Sequence, residues 1–498
     1  MRLILSLCFV LACVGCGSKS PAPESHPKVV QRPPPAPQAK RREQPPRSAA
    51  AKDIKFPAIQ RTNLDNGLEV NVVELDNLPV VYLRLVIRSG SATDPKAMPG
   101  VAGLTADMLK EGTRRLNSAK LAEAIEFYGA DLTVGSDADH VYLSMQTMSQ
   151  HLDAVLALLA EVVTQPAFRQ EELNKLTRRE QARLDLQNQD PYYLASKQLH
   201  RVLYKDHPYA QIDTTSEVLK KVTRKDLIDW HAKNVLSNNA FLVVVGKVKA
   251  DSFNQQAKKA FSGLRKGEIQ KQSVAAPKYS QKRQIYIVNR PTSVQSVILW
   301  GNLALHRGHP DYIPLVVANQ VLGGSAASRL FMDLREKRSL TYGAYSRVDV
   351  REATAPFRAS AAVRTEVTAQ ALEAFEQHLV RIRKTAAPGE ELANAHQYLS
   401  DSFPLKIETA GSIAGLVAEL RLYGLPDGYW DDYRSTIRKT SAEQALKAAK
   451  SYITPDQSVI VVVGNAAEIA EPLRRFGPVT VVDAEGKVSA SVQAGSGT

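Results

Sequence analysis

A chain of 498 residues is longer than one ordinary hydrophobic core supports, and usual domain sizes point to two or three. With 44% hydrophobic and 23% charged residues, and no apolar run reaching the ~20 residues of a spanning helix, the body is expected to be soluble and globular. The formal charge of +13 is unevenly placed, because ten Lys/Arg against three Asp/Glu in residues 1–55 supply +7 of it. The excess reads as a solvated tether beside an anionic membrane surface, and a role in nucleic-acid binding is set aside.

The chain opens with Met1-Arg2 and an apolar stretch from Leu3 to Val14, the length of a signal-peptide core. It ends in Cys13-Val14-Gly15-Cys16-Gly17-Ser18, which resembles the lipobox of bacterial lipoproteins, with Cys16 as the acylated residue and residues 1–16 as the signal peptide. Cys13 stands where that motif usually has Leu, and is itself a second, poorer acceptor. Gly17 after the acceptor, where Asp would favour the inner membrane, implies the outer membrane. Cys8, Cys13 and Cys16 are all the cysteines, so the folded body is expected to have no disulfide, and any metal site there needs His and carboxylate. Nine prolines between Pro21 and Pro46 make residues 17–55 a semi-rigid, basic, extended spacer.

Two segments of similar length follow, 56–265 and 284–483, separated by a polar linker at 266–283 and trailed by a small, polar tail at 484–498 expected to be disordered. They read as repeats. At an offset of 218 residues, Thr223-Arg224-Lys225-Asp226 matches Ser441-Ala442-Glu443-Gln444, each with capping-box spacing at a helix start. Each helix leads to a β-branched run, Phe241 to Gly246 and Val459 to Gly464, read as buried strands. A looser match pairs Ala106 to Thr113 with Ala318 to Ser325. Alternating strands such as Leu68 to Val72 and Tyr82 to Val86, mixed with amphipathic helices such as His151 to Val163, predict an α+β fold. Each half is then a mostly antiparallel sheet with helices on one face.

The run from Gly100-Val101-Ala102-Gly103 through Ala106-Asp107-Met108 to Gly112-Thr113 resembles the zinc helix of the pitrilysin/insulinase peptidases, whose pattern is roughly G-x-A-H-x-x-E-H-M-x-x-x-G-T. In that family the two histidines hold Zn²⁺ and the glutamate activates water. Here those positions are Gly103, Asp107 and Ala106. The family's third ligand lies on a helix before a D-P turn, and the matching position, counted from Asp190-Pro191, is Arg183. A +1 charge ~4 Å from a +2 ion costs roughly 8 kcal/mol at an effective dielectric of about 20, so this chain is expected to bind no zinc. Asp107 and Arg183 are instead expected to approach each other as an ion pair replacing the metal bridge.

The second half keeps its signature: Leu322-Gly323-Gly324-Ser325, Ser328-Arg329-Leu330-Phe331, then Leu334-Arg335-Glu336-Lys337-Arg338-Ser339-Leu340-Thr341-Tyr342-Gly343. The resemblance implies that Arg335 and Tyr342 reach towards substrate, where guanidinium and phenol donate to a peptide carbonyl. It also implies two homologous halves arranged as a clamshell, with an edge strand within Gly129 to Tyr142 that pairs with extended peptides. His140, His207 and the His306/His309 pair read as structural rather than metal ligands. The implied function is a non-catalytic subunit of a heteromeric zinc metallopeptidase, binding extended peptides and completing the site of a zinc-bearing partner of the same family. The alternative is a peptide-binding or scaffold pseudopeptidase of the cell envelope.

Overall fold

The computed structural model describes residues 54–269, 277, 279 and 281–489. Cys16, the tether up to residue 53, half of the linker and the end of the tail lie outside the described residues. The expected linker gives way to a strand at Gln284, and the tail departs from expectation at its start. Ser489 donates from its amide to Val481 (2.9 Å) and Lys487 to the Asp483 carboxylate (2.8 Å), with the left-handed backbone of Gly486 (φ +77°) closing the turn, so 484–489 folds back on the sheet.

The first half builds a six-stranded sheet from β1 (Gln60–Asn63), β2 (Glu69–Glu74), β3 (Val80–Ile87), β4 (Asp131–Ser136), β5 (Val141–Met148) and β6 (Ala240–Gly246), in the order β1-β2-β6-β3-β5-β4. The second uses β7 (Gln284–Asn289), β8 (Gln295–Leu303), β9 (Thr341–Val348), β10 (Pro356–Arg364), β11 (Val459–Gly464) and β12 (Val479–Val482), in the order β12-β7-β11-β8-β10-β9. Five strands correspond one to one, and β2–β6 and β7–β11 are the matching parallel pairs within otherwise mostly antiparallel sheets. Only the outer strand differs, antiparallel for β1 and parallel for β12. Both capping boxes form, Thr223 with Asp226 and Ser441 with Gln444. The internal duplication is therefore structural, and the α+β class holds.

Helices cover both faces of each sheet, where one face was expected, because the halves exchange helices. The helix Pro191–Tyr204, in the first half of the chain, lies on β8 and β11 of the second sheet. Its Leu194, Ala195, Leu199 and Leu203 are buried against Val297, Leu299, Val459, Val461 and Val463. In return the helix Ala410–Leu422 lies on β3 and β6 of the first sheet, placing Ile413, Ala414 and Val417 in one cluster with Val86, Phe241, Val243 and Val245. The buried Arg421 on this helix donates to Asn71 (2.7 Å) and pairs with Glu69 (3.1 Å) across the boundary. Gly301 on β8 permits the close approach, since a Cβ there would stand 2.9 Å from the Leu199 side chain and 3.2 Å from the Phe357 carbonyl oxygen.

This packing makes β6 and β11 apolar at every residue. On β6, Leu242 and Val244 face the first half's own helices while the alternate residues face the exchanged helix. A strand covered on both faces reads as a continuous run rather than an alternating one. We expect Leu199→Ala to destabilise the protein by about 2–5 kcal/mol, the usual cost of truncating a fully buried leucine. Calorimetry checks this, with a further requirement that the halves still melt in one transition. Two resolved transitions would show that the exchanged helices do not couple them.

Candidate functional site

The helix Val101–Leu109 starts at Gly100, whose φ of +88° and whose contact with Thr214 leave no room for a side chain. The Asp94 carboxylate accepts from the amides of Gly100 (2.7 Å) and Ala102 (3.0 Å), capping the helix from a distance. Desolvation there pushes the Asp94 pKa up to about 7 despite those amides. Val101, Leu104, Thr105, Met108 and Leu109 bury the helix in the first core. That fixes Gly103, Ala106 and Asp107, at spacings of three and four, along the face turned to a cavity of about 580 Å³.

Arg183 lines the same cavity from the helix Gln170–Gln187. The resemblance-derived positions thus share one space, but the expected Asp107–Arg183 pair is not made. The Arg183 guanidinium grips Asp213 with both terminal nitrogens (2.8 and 2.7 Å) and Glu180 through Nε (2.6 Å), and donates to Gln187 (2.5 Å). Asp213 and Glu180 hold the Arg183 pKa well above its ordinary value, so its charge is permanent. Asp107 pairs instead with Lys110 one turn along (3.2 Å). The Arg183 fork is taken by the bidentate Asp213 with Glu180 and Gln187 filling its remaining donors, while Asp107 has a cation in reach on its own helix.

These residues do not fit zinc. Gly103 offers no donor and only open space where its Cβ would be, Ala106 offers no base, and a fixed cation occupies the third position. Among the described residues no three His, Cys, Asp or Glu side chains group to hold a metal ion. His140 sits 3.0 Å from Asp137, His207 accepts from the Tyr209 amide (3.1 Å) and His309 from the Asp311 amide (3.0 Å), each in a local contact.

Three participants were not foreseen. Asp213 lies in a loop that carries no recognisable pattern. Glu180, one turn before Arg183, had a legible signal in that spacing. Arg351 comes from the second half, on the β9–β10 loop, and reaches the cavity wall within 4.0 Å of Asp137. The same loop is pinned to the first half where the amide of Glu352 donates to Asp139 (3.0 Å) and the amide of Ala353 to Tyr209 Oη (3.2 Å), Tyr209 itself donating to Asp139. Edge strand β4 ends at the cavity, which its residues Val134 to Ser136 help line.

Arg335 and Tyr342 do not line this cavity. Arg335 sits on a π-helical turn, Met332–Lys337, half-exposed over the Phe331 ring (4.8 Å) and beside Glu336 (3.3 Å). Tyr342 lies on β9, the edge of the second sheet, with 92% of its surface exposed. A bulge there sets Tyr342 and Gly343 against the single residue Ala362, and Thr341 Oγ1 donates to the Ala362 carbonyl (2.6 Å). The phenol points to solvent from a fixed backbone.

Residues 71–214 match the family described as "Insulinase (Peptidase family M16)", and residues 221–399 match "Peptidase M16 inactive domain". A crystal structure of a peptidase M16 inactive domain from Pseudomonas fluorescens superposes with a TM-score of 0.78 at 30% identity, covering 82% of this chain and 98% of that one. A protease structure from Helicobacter pylori gives the same TM-score at 20% identity, covering 82% and 100%. In sequence, the "Non-peptidase homolog YmxG" of Helicobacter pylori is 25% identical over 80% of this chain and 93% of its own length. The "Uncharacterized zinc protease YmxG" of Bacillus subtilis is 21% identical over 81% and 98%. With both halves matched and the fold shared along its length, the chain belongs to the insulinase family, peptidase family M16.

Proposed function

We propose that this chain is a non-catalytic subunit that binds extended peptides and supplies Arg335 and Tyr342 to the active site of a zinc-bearing partner of the same family. One contrast carries the reading. The metal-site positions are taken by Gly103, Ala106, Asp107 and an Arg183 locked to Asp213, whereas the hydrogen-bond donors of the second signature stand outside the cavity, open to solvent. Donors that face away from their own chain's cavity serve a site completed in trans. Relatives bear names on both sides of this division, a non-peptidase homologue and zinc proteases.

Peptide binding follows from the free edge of β4 beside the cavity, where an extended chain adds as a further strand. Tethering follows from Cys16: acylation there places the body on the periplasmic side of the outer membrane at the end of the proline-rich spacer.

Three outcomes test this. The purified chain is expected to retain far less than one zinc per molecule by elemental analysis and to cleave no peptide alone; stoichiometric zinc whose removal abolishes proteolysis would overturn the proposal. In complex with the zinc-bearing partner, Arg335→Ala and Tyr342→Phe are each expected to lower kcat/KM by about 10²-fold, the effect of losing one preorganised donor. Full activity of the doubly substituted complex would favour the scaffold alternative. Cys16→Ser is expected to abolish labelling by radioactive palmitate and release the protein from the membrane fraction.

A further inference from the structure

A cavity of about 980 Å³ lies in the helical layer of the second half, apart from the degenerate metal cavity and walled in part by the second signature. The helix Tyr312–Leu322, the π-helical turn and the helices Thr368–Lys384 and Gly389–Asp401 enclose it. Four cations line it, Arg329, Lys337, Arg338 and Arg381, against three acids, Asp333, Glu391 and Asp401.

Each acid is already engaged. Asp333 accepts from His378 (2.9 Å) and pairs with Arg338 (3.0 Å), Glu391 takes Arg329, and Asp401 is held by Arg438 (3.0 Å) from behind the wall. Lys337 and Arg381 have no ion-pair partner among the described residues, and both are exposed at the rim. Arg329 is only 5% exposed at its side chain, yet its Nε and Nη2 share a single oxygen of Glu391 (2.8 and 2.5 Å), and its Nη1 has no partner among the described residues. His378 Nδ1 is likewise buried without one. A buried guanidinium nitrogen left unsatisfied is costly, and such groups recur where an ion or water completes a site.

We propose that this cavity binds a phosphate-bearing small molecule. Lys337 and Arg381 meet the anion from the exposed part of the lining, the buried Arg329 stands behind them with a spare nitrogen that a side-chain shift would bring to the ligand, and the volume suits a ligand larger than phosphate itself. Tyr398 and Met332, both exposed on the lining, give an apolar or aromatic remainder a surface to lie on. The site shares no lining residue with the degenerate metal cavity but is built on the same turn that carries Arg335, so its test reads ligand binding by the chain alone, without a partner subunit.

Titration calorimetry of the full chain with inorganic pyrophosphate tests it. Saturable binding at one site is expected, weakened about tenfold or more by Lys337→Gln with Arg381→Gln. Lys220→Gln with Lys221→Gln, an exposed basic pair in the first half, is expected to leave it unchanged. Two arms separate the sources of phosphate. Capture of vesicles containing phosphatidic acid, lost in the Lys337/Arg381 variant, assigns the ligand to a lipid headgroup; pyrophosphate binding without vesicle capture assigns it to a soluble phosphate ester. Non-saturating heats, or equal affinity in both double variants, would overturn the proposal.

Discussion

The exchange of helices between the two halves is the constraint on which everything else rests. Without the helix Pro191–Tyr204, β11 would expose Val459, Val461 and Val463 to water; without Ala410–Leu422, β6 would do the same with Phe241, Val243 and Val245. Burying Leu194, Leu199, Leu203 and Tyr204 alone contributes about 6–12 kcal/mol before ordering costs, at ~1.5–3 kcal/mol for each side chain. That is on the order of the whole net stability of a typical domain. Neither repeat has a finished core by itself. Arg421 reinforces the union, because a buried guanidinium paired with Asp427 in its own half also binds Asn71 and Glu69 of the other, and loses both of these on separation. Within one chain the halves are therefore shut against each other, and the β9–β10 loop fastens the side where Arg351 meets the cavity wall.

This closure decides what the degenerate cavity is able to do. A lost metal site can collapse or stay open, and here a cavity of about 580 Å³ remains, walled largely by polar side chains. Arg183, Asp213, Glu180 and Gln187 form a fixed network that ties the helix Gln170–Gln187 to the loop at Asp213 and not, as a bridging ion would, to the helix Val101–Leu109. Since that network leaves Asp107 to Lys110, the helix Val101–Leu109 contributes space more than chemistry, through Gly103 and Ala106. The recess lies beside the edge strand β4 and offers polar walls, with no base at Ala106 and no donor at Gly103.

What the sequence made legible was local or doubly determined. The capping boxes at Thr223 and Ser441 need only four residues each, and β6 and β11 announced themselves as unbroken β-branched runs because both of their faces are covered. The partner of each face was not legible. A period of 3.6 shows that a helix has an apolar side, as Leu194, Leu199 and Leu203 show, but is silent on which sheet receives it. For the same reason a one-faced covering was the natural expectation. The cavity divides in the same way: the family frame located Gly103, Ala106, Asp107 and Arg183, while Asp213, thirty residues beyond Arg183 in a loop without a motif, had no signal, and so the wrong carboxylate was assigned to the arginine. The neighbouring Lys110 was available in the spacing and outweighs a distant partner for Asp107 because the helix itself holds it in reach.

The second signature poses the opposite problem, since its residues are intact and its backbone is irregular. Between Met332 and Gly343 the chain departs from ideal geometry three times: a π-helical turn carrying Arg335, a left-handed Ser339 (φ +52°), and a bulge carrying Tyr342. Non-glycine residues in the left-handed region and π-turns both cost free energy that packing must offset, and the buried Phe331, Leu334 and Leu340 supply that packing on either side. Folding alone would be served as well by a regular helix and a regular edge strand. A tyrosine that contributes almost no buried surface, aimed outward by a bulge whose backbone is tied to Ala362, gains nothing for this chain's own stability. The phenol and the half-exposed Arg335 guanidinium are thus left available to whatever meets this edge, and the proposal of a site completed in trans rests on that availability.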